Sequence, residues 1–179
     1  MTSLVLIGAR CAGKTTIGRR LADSAAVPFV DLDDLVLQDL GATSATEVFG
    51  DPARGESTWR AAESRQLRLA LERSATERLV IATGGGVVCA TDNRQALIMA
   101  ASRGDVLVLW LAVSGEVSRT RLAADSGDRP PLRPGGDVVA EALEVAATRA
   151  PLYQEVADAQ VDADQRIDSV IASIWTKWG

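Results

Sequence analysis

SLVLIGARCAGKTTIGRR, residues 3–20, reads as strand, loop and helix in one pass. Leu4 to Ile7 form a short apolar run, Gly8 opens a turn, and Ile17, Leu21 and Ala25 recur at helical spacing. Between strand and helix, residues 8–15 fit G-x-x-x-x-G-K-[ST]. In that pattern, backbone N–H groups and the N-terminus of the following helix converge on one anionic group, of which a nucleotide β-phosphate is the natural example. Gly8, Ala9, Arg10, Cys11, Ala12, Gly13, Lys14, Thr15 and Thr16 are therefore expected to line a nucleotide. Lys14 would lie along the β- and γ-phosphates, and the Thr15 hydroxyl would take Mg²⁺. Of the 19 basic residues only Lys14 and Lys177 are lysines. A compact ammonium at the one place that suits a phosphate loop fits chemical need.

Outward from this stretch, Pro28 to Asp31 reads as a second strand that ends at Asp31-Leu32-Asp33-Asp34. Carboxylates at the C-terminal end of a strand face the ligand crevice of an open α/β sheet. Asp31 is placed to hold Mg²⁺ through water and Asp33 to accept hydrogen bonds from substrate hydroxyls, while Asp34 reads as a helix N-cap. Residues 34–54 are irregular, with a short helix near Leu35 to Leu40. A stronger helix runs from Ser57 to about Arg73, with Trp59, Ala62, Leu67, Ala70 and Leu71 on its apolar side and Arg60 and Glu63 within reach of each other. Such pairs are more often surface decoration than function.

Arg78 to Thr83 reads as a third strand, running into Gly84-Gly85-Gly86, where three glycines let a backbone approach a ligand and present N–H donors. A helix from Asp92 to Arg103 and a near-continuous apolar run, Val106 to Leu111, follow. Ser114 caps the next helix, which carries Val117 and Arg121. The loop of residues 125–137 is rich in Pro and Gly and holds Arg129 and Arg133, a composition suited to a lid that brings a guanidinium to a transferring phosphoryl group. A helix from about Val138 to Thr148 is expected to end before Arg149-Ala150-Pro151-Leu152-Tyr153. An edge strand at Gln160 to Ala163 and an amphipathic C-terminal helix, with Trp175 and Trp178 as core, complete the pattern. Five strands separated by helices imply an α/β parallel sheet with right-handed crossovers.

Composition bounds the function. The 179 residues suffice for one domain, and the net charge of −5, with only seven aromatic residues and no basic run, leaves little with which to build a nucleic-acid surface. Cys11 and Cys89 form no disulfide framework, and histidine is absent, so zinc and Ser/His chemistry are disfavoured. No apolar run reaches the length of a membrane span, and the first residues lack a signal-peptide pattern. A soluble, cytoplasmic protein that uses ATP is expected.

Taken together, GARCAGKTT, VDLDD, WRAAES, VIATGGG, DRPPL and RAPLY, in that order, resemble the shikimate kinase family from Val5 to about Asp162. The resemblance implies the P-loop kinase fold of nucleoside-monophosphate-kinase type, with a five-stranded parallel sheet flanked by helices. It also implies ATP- and Mg²⁺-dependent phosphorylation of the shikimate 3-hydroxyl, on the route to chorismate and the aromatic amino acids. By the same resemblance residues 1–179 form one domain, with a substrate-binding subregion at about 32–62 and a mobile lid at about 123–137, and the protein is a monomer. Lys14 and Thr15 look like the phosphate and Mg²⁺ residues, with Asp31 supporting the metal. Asp33 looks like the group that holds, and helps to deprotonate, the attacking hydroxyl. Arg60 and Arg149 look like the carboxylate-binding pair, oriented in part by Glu63, with Gly84, Gly85 and Gly86 alongside. Arg129 resembles the lid arginine and Arg121 the one beside adenine, and Arg10 matches an arginine of some members. Cys11 stands where glycine is common, Leu32 where a small hydroxyl residue is usual, and Trp59 in place of phenylalanine, while Pro131 interrupts the usual lid motif. Leu32 and Trp59 are placed to reshape the substrate pocket, and the Cys11 thiol is expected to react with alkylating agents.

Three other functions would share parts of this pattern. A kinase of another small hydroxylated acid, such as gluconate, would share the scaffold but lacks a reason for Arg60, Gly85-Gly86 and Arg149. A GTPase switch wants N-K-x-D, and the only asparagine, Asn93, lies in TDNRQ. A non-catalytic relative is at odds with the retained Lys14, Asp33 and Arg129.

Overall fold

The computed structural model describes residues 2–124 and 138–179. Five strands, β1 (Ser3–Ile7), β2 (Phe29–Asp31), β3 (Val80–Ala82), β4 (Val106–Ala112) and β5 (Ala159–Asp162), form one sheet in the order β2-β3-β1-β4-β5. Every pairing is parallel. The helices among the described residues are α1 (Lys14–Ala25), α2 (Leu32–Leu40), α3 (Ala45–Gly50), α4 (Gly55–Ser74), α5 (Thr91–Ser102), α6 (Gly115–Ala124), α7 (Val138–Val156) and α8 (Ile167–Trp178). A 3₁₀ turn spans Val87–Cys89.

Strand alternation divides the core between the two faces of the sheet. Val5, Ile7, Ile81 and Val108 pack with Leu67 and Leu71 of α4, Leu97 of α5 and Tyr153 of α7. Leu4, Leu6, Leu109 and Leu111 pack with Ile17 and Leu21 of α1 and with Val170, Ile174 and Trp178 of α8. Being covered on both faces is why β1 is buried at all its positions. Trp178 belongs to this core, and its ring stacks on Trp175 at 5.3 Å between centroids. A third, smaller cluster of Val36, Val48, Trp59 and Ala62, with Phe49 against it, joins α2, α3 and α4 into a lobe beside the sheet.

Three local readings change. Helix α2 begins at Leu32 rather than Leu35, because the N-cap is Asp31, whose carboxylate accepts from the Asp33 N–H at 3.1 Å; Asp34 sits in the first turn instead. Helix α3 arises in the stretch read as irregular. Its signal is the pair Ser44 and Glu47: the Glu47 N–H donates to Ser44 Oγ (3.1 Å), while the Glu47 carboxylate accepts from the Thr43 N–H (2.8 Å). Helix α7 does not stop at Thr148 but runs through Pro151 to Val156. The hydrogen bond that Pro151 cannot donate is outweighed by burial of Tyr153 and Val156 on the next turn. No helix among the described residues is long and apolar enough to cross a membrane. The segment read as a lid, with Arg129 and Pro131, lies mostly outside the described residues.

Candidate active site

Every strand points its C-terminal end to the same edge, and the neighbours β1 and β3 send their outgoing connections in opposite directions, β1 to β2 and β3 to β4. Such switch points open a crevice at that edge. Two clefts lie there, of about 580 Å³ and about 760 Å³. They share Arg10, Asp33 and Gly85.

The smaller cleft is built on the turn after β1. Gly8 has φ 144° and Gly13 φ 91°, and a Cβ on Gly8 would stand 2.6 Å from the Leu111 carbonyl oxygen, so glycine is demanded there by both backbone and space. Cys11 takes φ 60°. That left-handed conformation explains why glycine would suit the position, and the thiol side chain is half-buried on the cleft wall. The Lys14 ammonium donates to the Gly8 and Ala9 carbonyls at 2.9 and 2.8 Å, which holds it across the mouth of its own loop. Thr16 also lines this cleft, whereas the Ala12 methyl is fully buried in the core and leaves only its backbone for a ligand. The Thr15 hydroxyl donates to Asp31 Oδ2 at 2.7 Å, bringing together two hard oxygen groups from α1 and the end of β2. Arg121 of α6 donates to the Cys11 carbonyl (3.3 Å) and the Ala163 carbonyl (2.8 Å), tying the loop to the segment after β5. Gln165 and Ile167 of that segment join the wall. No motif marks these two in the sequence.

The larger cleft lies between the sheet edge and the lobe. Arg60 reaches it from α4 and is held on both sides: Nη1 donates to Glu63 Oε2 at 2.8 Å, and Nε and Nη2 donate to Glu56 Oε1 at 3.2 and 3.1 Å. This is not the exposed pair that helix spacing suggests, because the Glu63 side chain is 1% exposed. Burial, the largest influence, and the nearby Asp33 charge push the Glu63 carboxyl above the ordinary range, against the pull of Arg60 and Arg149. Burial also disfavours the charge on Arg60, but Glu63 and Glu56 more than offset it and hold its pKa above the usual guanidinium value. The carboxyl is thus the partner that bears the cost of burial. Its Oε1 has no hydrogen-bond partner among the described residues.

The glycine triplet closes the other side of this cleft. A Cβ on Gly84 would strike Glu63 Oε1 and Asp33 Oδ1, and one on Gly86 would overlap the Arg60 guanidinium. The triplet is therefore packed directly under these three side chains. From α7, Arg149 Nη1 donates to the Gly85 carbonyl at 3.2 Å and Tyr153 Oη to the same oxygen at 2.6 Å. Phe49 and Trp59, with rings 5.6 Å apart, form the apolar wall, and Glu141 of α7 adds a buried carboxyl that the sequence did not single out. Trp59 thus lines the cleft as expected, but Leu32 does not: it is fully buried against the sheet. As the first residue of α2 it shares with Leu35, three positions on, the helix face turned to the core. Arg129 lies outside the described residues.

An apolar wall, guanidinium groups from two helices and a carboxylate at the junction suit a small hydroxylated acid beside a nucleoside triphosphate. Comparison with known proteins agrees. The family described as shikimate kinase matches residues 10–178. A shikimate kinase of Symbiobacterium thermophilum is 37% identical over 176 residues, covering 98% of this chain and 95% of that one. Among solved structures, a shikimate kinase of Bacteroides thetaiotaomicron superposes with a TM-score of 0.82 at 29% identity, covering 98% of this chain and 97% of that one. The Acinetobacter baumannii shikimate kinase in complex with shikimate gives a TM-score of 0.78 at 28% identity, over 99% and 95%.

Proposed function

Because the chain belongs to the shikimate kinase family, we propose that the junction of its two clefts is where a phosphoryl group passes from ATP to the 3-hydroxyl of shikimate. The chain is a P-loop kinase that phosphorylates shikimate with ATP in the shikimate pathway. The observation that carries the site assignment is the sharing of Arg10, Asp33 and Gly85 by both clefts, since in-line transfer requires donor and acceptor to meet.

In this reading the loop from Gly8 to Thr16 wraps the phosphates, Lys14 leaves the Gly8 and Ala9 carbonyls to lie along them, and Arg121 borders the base. Arg60 and Arg149 grip the acid's carboxylate as paired guanidinium forks, with Glu63 and Glu56 orienting Arg60. Gly84, Gly85 and Gly86 let the acid approach the backbone. Asp33 accepts the proton of the attacking hydroxyl as its oxygen closes on phosphorus. Arg129 is assigned on its motif alone, to neutralise the transferring group. The 2.7 Å contact of Thr15 with Asp31 fits a hard divalent cation, so these two would hold Mg²⁺, Asp31 through water. When bound, the ion neutralises charge on the phosphates. We further assign residues 32–62 as the acid-binding subregion of a single, monomeric, cytoplasmic domain. That assignment rests on the third core cluster and on the family reading.

The test is Asp33→Asn. ADP release is measured with shikimate, quinate, gluconate and no acceptor. Turnover is expected with shikimate only, and in the variant it should fall about 10²-fold or more, with the KM for ATP unchanged. Equal turnover of wild type and variant would remove Asp33 from the chemistry. Preference for another acid would relocate the error to the larger cleft.

A further inference from the structure

The Gly85 carbonyl receives two donors from one face of α7, Arg149 at 3.2 Å and Tyr153, one turn later, at 2.6 Å. A carbonyl oxygen has two lone pairs, so this acceptor is saturated. The chain has no cis peptide among the described residues, and in a trans peptide the next N–H points opposite to the carbonyl. Pulling the Gly85 oxygen toward α7 therefore turns the Gly86 N–H away from α7. No acceptor among the described residues takes that N–H. The rest of the turn is anchored from α5, where Asn93 donates to the Val87 carbonyl (2.9 Å) and Arg94 to the Val88 carbonyl (2.8 Å). Within the turn the Val87 N–H donates to the Gly84 carbonyl (3.2 Å) and the Cys89 N–H to the Gly86 carbonyl (2.9 Å), which fixes the peptides on either side, while the Gly85–Gly86 peptide itself is held by Arg149 and Tyr153.

The two donors are not equivalent. Arg149 lines the larger cleft and, on the reading above, is drawn to the acid's carboxylate when substrate binds. Tyr153 also borders this cleft, but its neutral hydroxyl offers a carboxylate no charge and is committed to the Gly85 carbonyl. It is 1% exposed, its ring stacks on Trp110 of β4 at 5.8 Å between centroids, and burial pushes its phenol up to about 12. The hydroxyl stays a donor throughout the neutral range.

We propose that Tyr153 is a positioning residue: it holds the Gly85–Gly86 peptide in its substrate-facing orientation after Arg149 has released the Gly85 carbonyl to grip the acid. This rests on the assignment of Arg149 to the acid. It makes the spacing of Arg149 and Tyr153 functional, one residue taking the substrate and the other keeping the loop that both had held.

Tyr153→Phe removes the hydroxyl and keeps the ring against Trp110. Loss of one buried hydrogen bond is expected to raise the KM for shikimate about five- to tenfold, with kcat and the KM for ATP within about twofold of wild type. A melting temperature close to wild type would separate this from a folding effect. The Gly86 amide resonance of ¹⁵N-labelled protein without ligands should also shift in the variant. Unchanged KM for shikimate in a variant that folds, beside a wild type that phosphorylates shikimate, overturns the positioning role alone. So does an equal rise in both KM values. A wild type inactive on shikimate overturns the functional reading instead, and the Gly86 resonance still reports whether the Tyr153 hydroxyl orients the peptide: no shift there rejects it.

Discussion

The cleft assigned to the nucleotide is built around eight consecutive residues, Gly8 to Thr15, with Arg121, Gln165 and Ile167 only bordering it, whereas the cleft assigned to the acid assembles Asp33 from α2, Arg60 and Glu63 from α4, the triplet after β3, and Arg149 and Tyr153 from α7. The first works mainly through main-chain groups, with Lys14 folded back onto its own loop. The second works through long side chains, each held by another: Arg60 by Glu56 and Glu63, and the Gly85 carbonyl by Arg149 and Tyr153. A loop of consecutive residues carries its geometry wherever strand and helix carry it. A cleft of side chains from separate elements exists only when all of them are packed, so one truncation there is felt by its neighbours.

Five substitutions sharpen this contrast. Lys14→Ala should have the largest effect, on the order of 10³-fold or more in kcat, because it removes a charge from the transferring phosphates and leaves the acid side intact. Steady-state kinetics with a separate shikimate binding measurement would check it, and a matching loss of shikimate affinity would show that the two sides are not independent.

Arg60→Ala comes next. On the proposed reading it removes a carboxylate fork, and it strands the buried Glu63, so the KM for shikimate should rise about 10²-fold and the protein should also lose stability, by about 3 kcal/mol. Arg149→Ala should raise the same KM with a smaller loss of stability, since its partner is a carbonyl that Tyr153 still satisfies. If both variants altered only ATP affinity, the division between the clefts would be wrong.

The third test concerns pH. The folded-state pKa of Glu63 lies above its unfolded value, chiefly through burial, so its favourable contribution is complete below the unfolded value of 4.5 and is lost as pH rises through the folded value. Glu63→Gln abolishes that titration. The stability of wild type relative to the variant, from urea unfolding at a series of pH values, should therefore decline as pH rises above about 4.5. A constant difference would mean that Arg60 fully compensates the buried charge. The smallest effect belongs to Cys11→Gly: relief of the left-handed backbone, set against the extra chain entropy of glycine, should stabilise the fold by about 1 kcal/mol or less. A clear fall in melting temperature would show that the thiol contributes packing that its conformation does not suggest.

The two sides also differ in how far they are legible in the chain. The phosphate loop, its strand and its helix were readable at once, as was the parallel sheet, because alternating burial and turn glycines are local properties. Lys14, Thr15 and the glycine triplet followed from motifs. Residues of the acid side were legible only through resemblance: spacing alone assigned Arg60 and Glu63 to a surface pair, and the structure buries Glu63 beside the triplet. Leu32 reads as a pocket residue and is core, because α2 starts there and turns its Leu32 and Leu35 face inward. Ser44 and Glu47 carry a capping signal for α3, while no motif marks Glu141, Gln165 or Ile167 as lining a cleft.

By itself, then, the amino-acid sequence determined the order of strands and helices, the phosphate loop and the inventory of arginines, since these depend on neighbours within a few positions. Tertiary structure alone decided that Asp33 and Gly85 stand between the two clefts, that Glu63 is buried, and that Arg149 and Tyr153 share one carbonyl. Each of those depends on how elements far apart in the chain pack across the sheet edge, where the cost of burying a charge or a polar group is set by partners that no local pattern names.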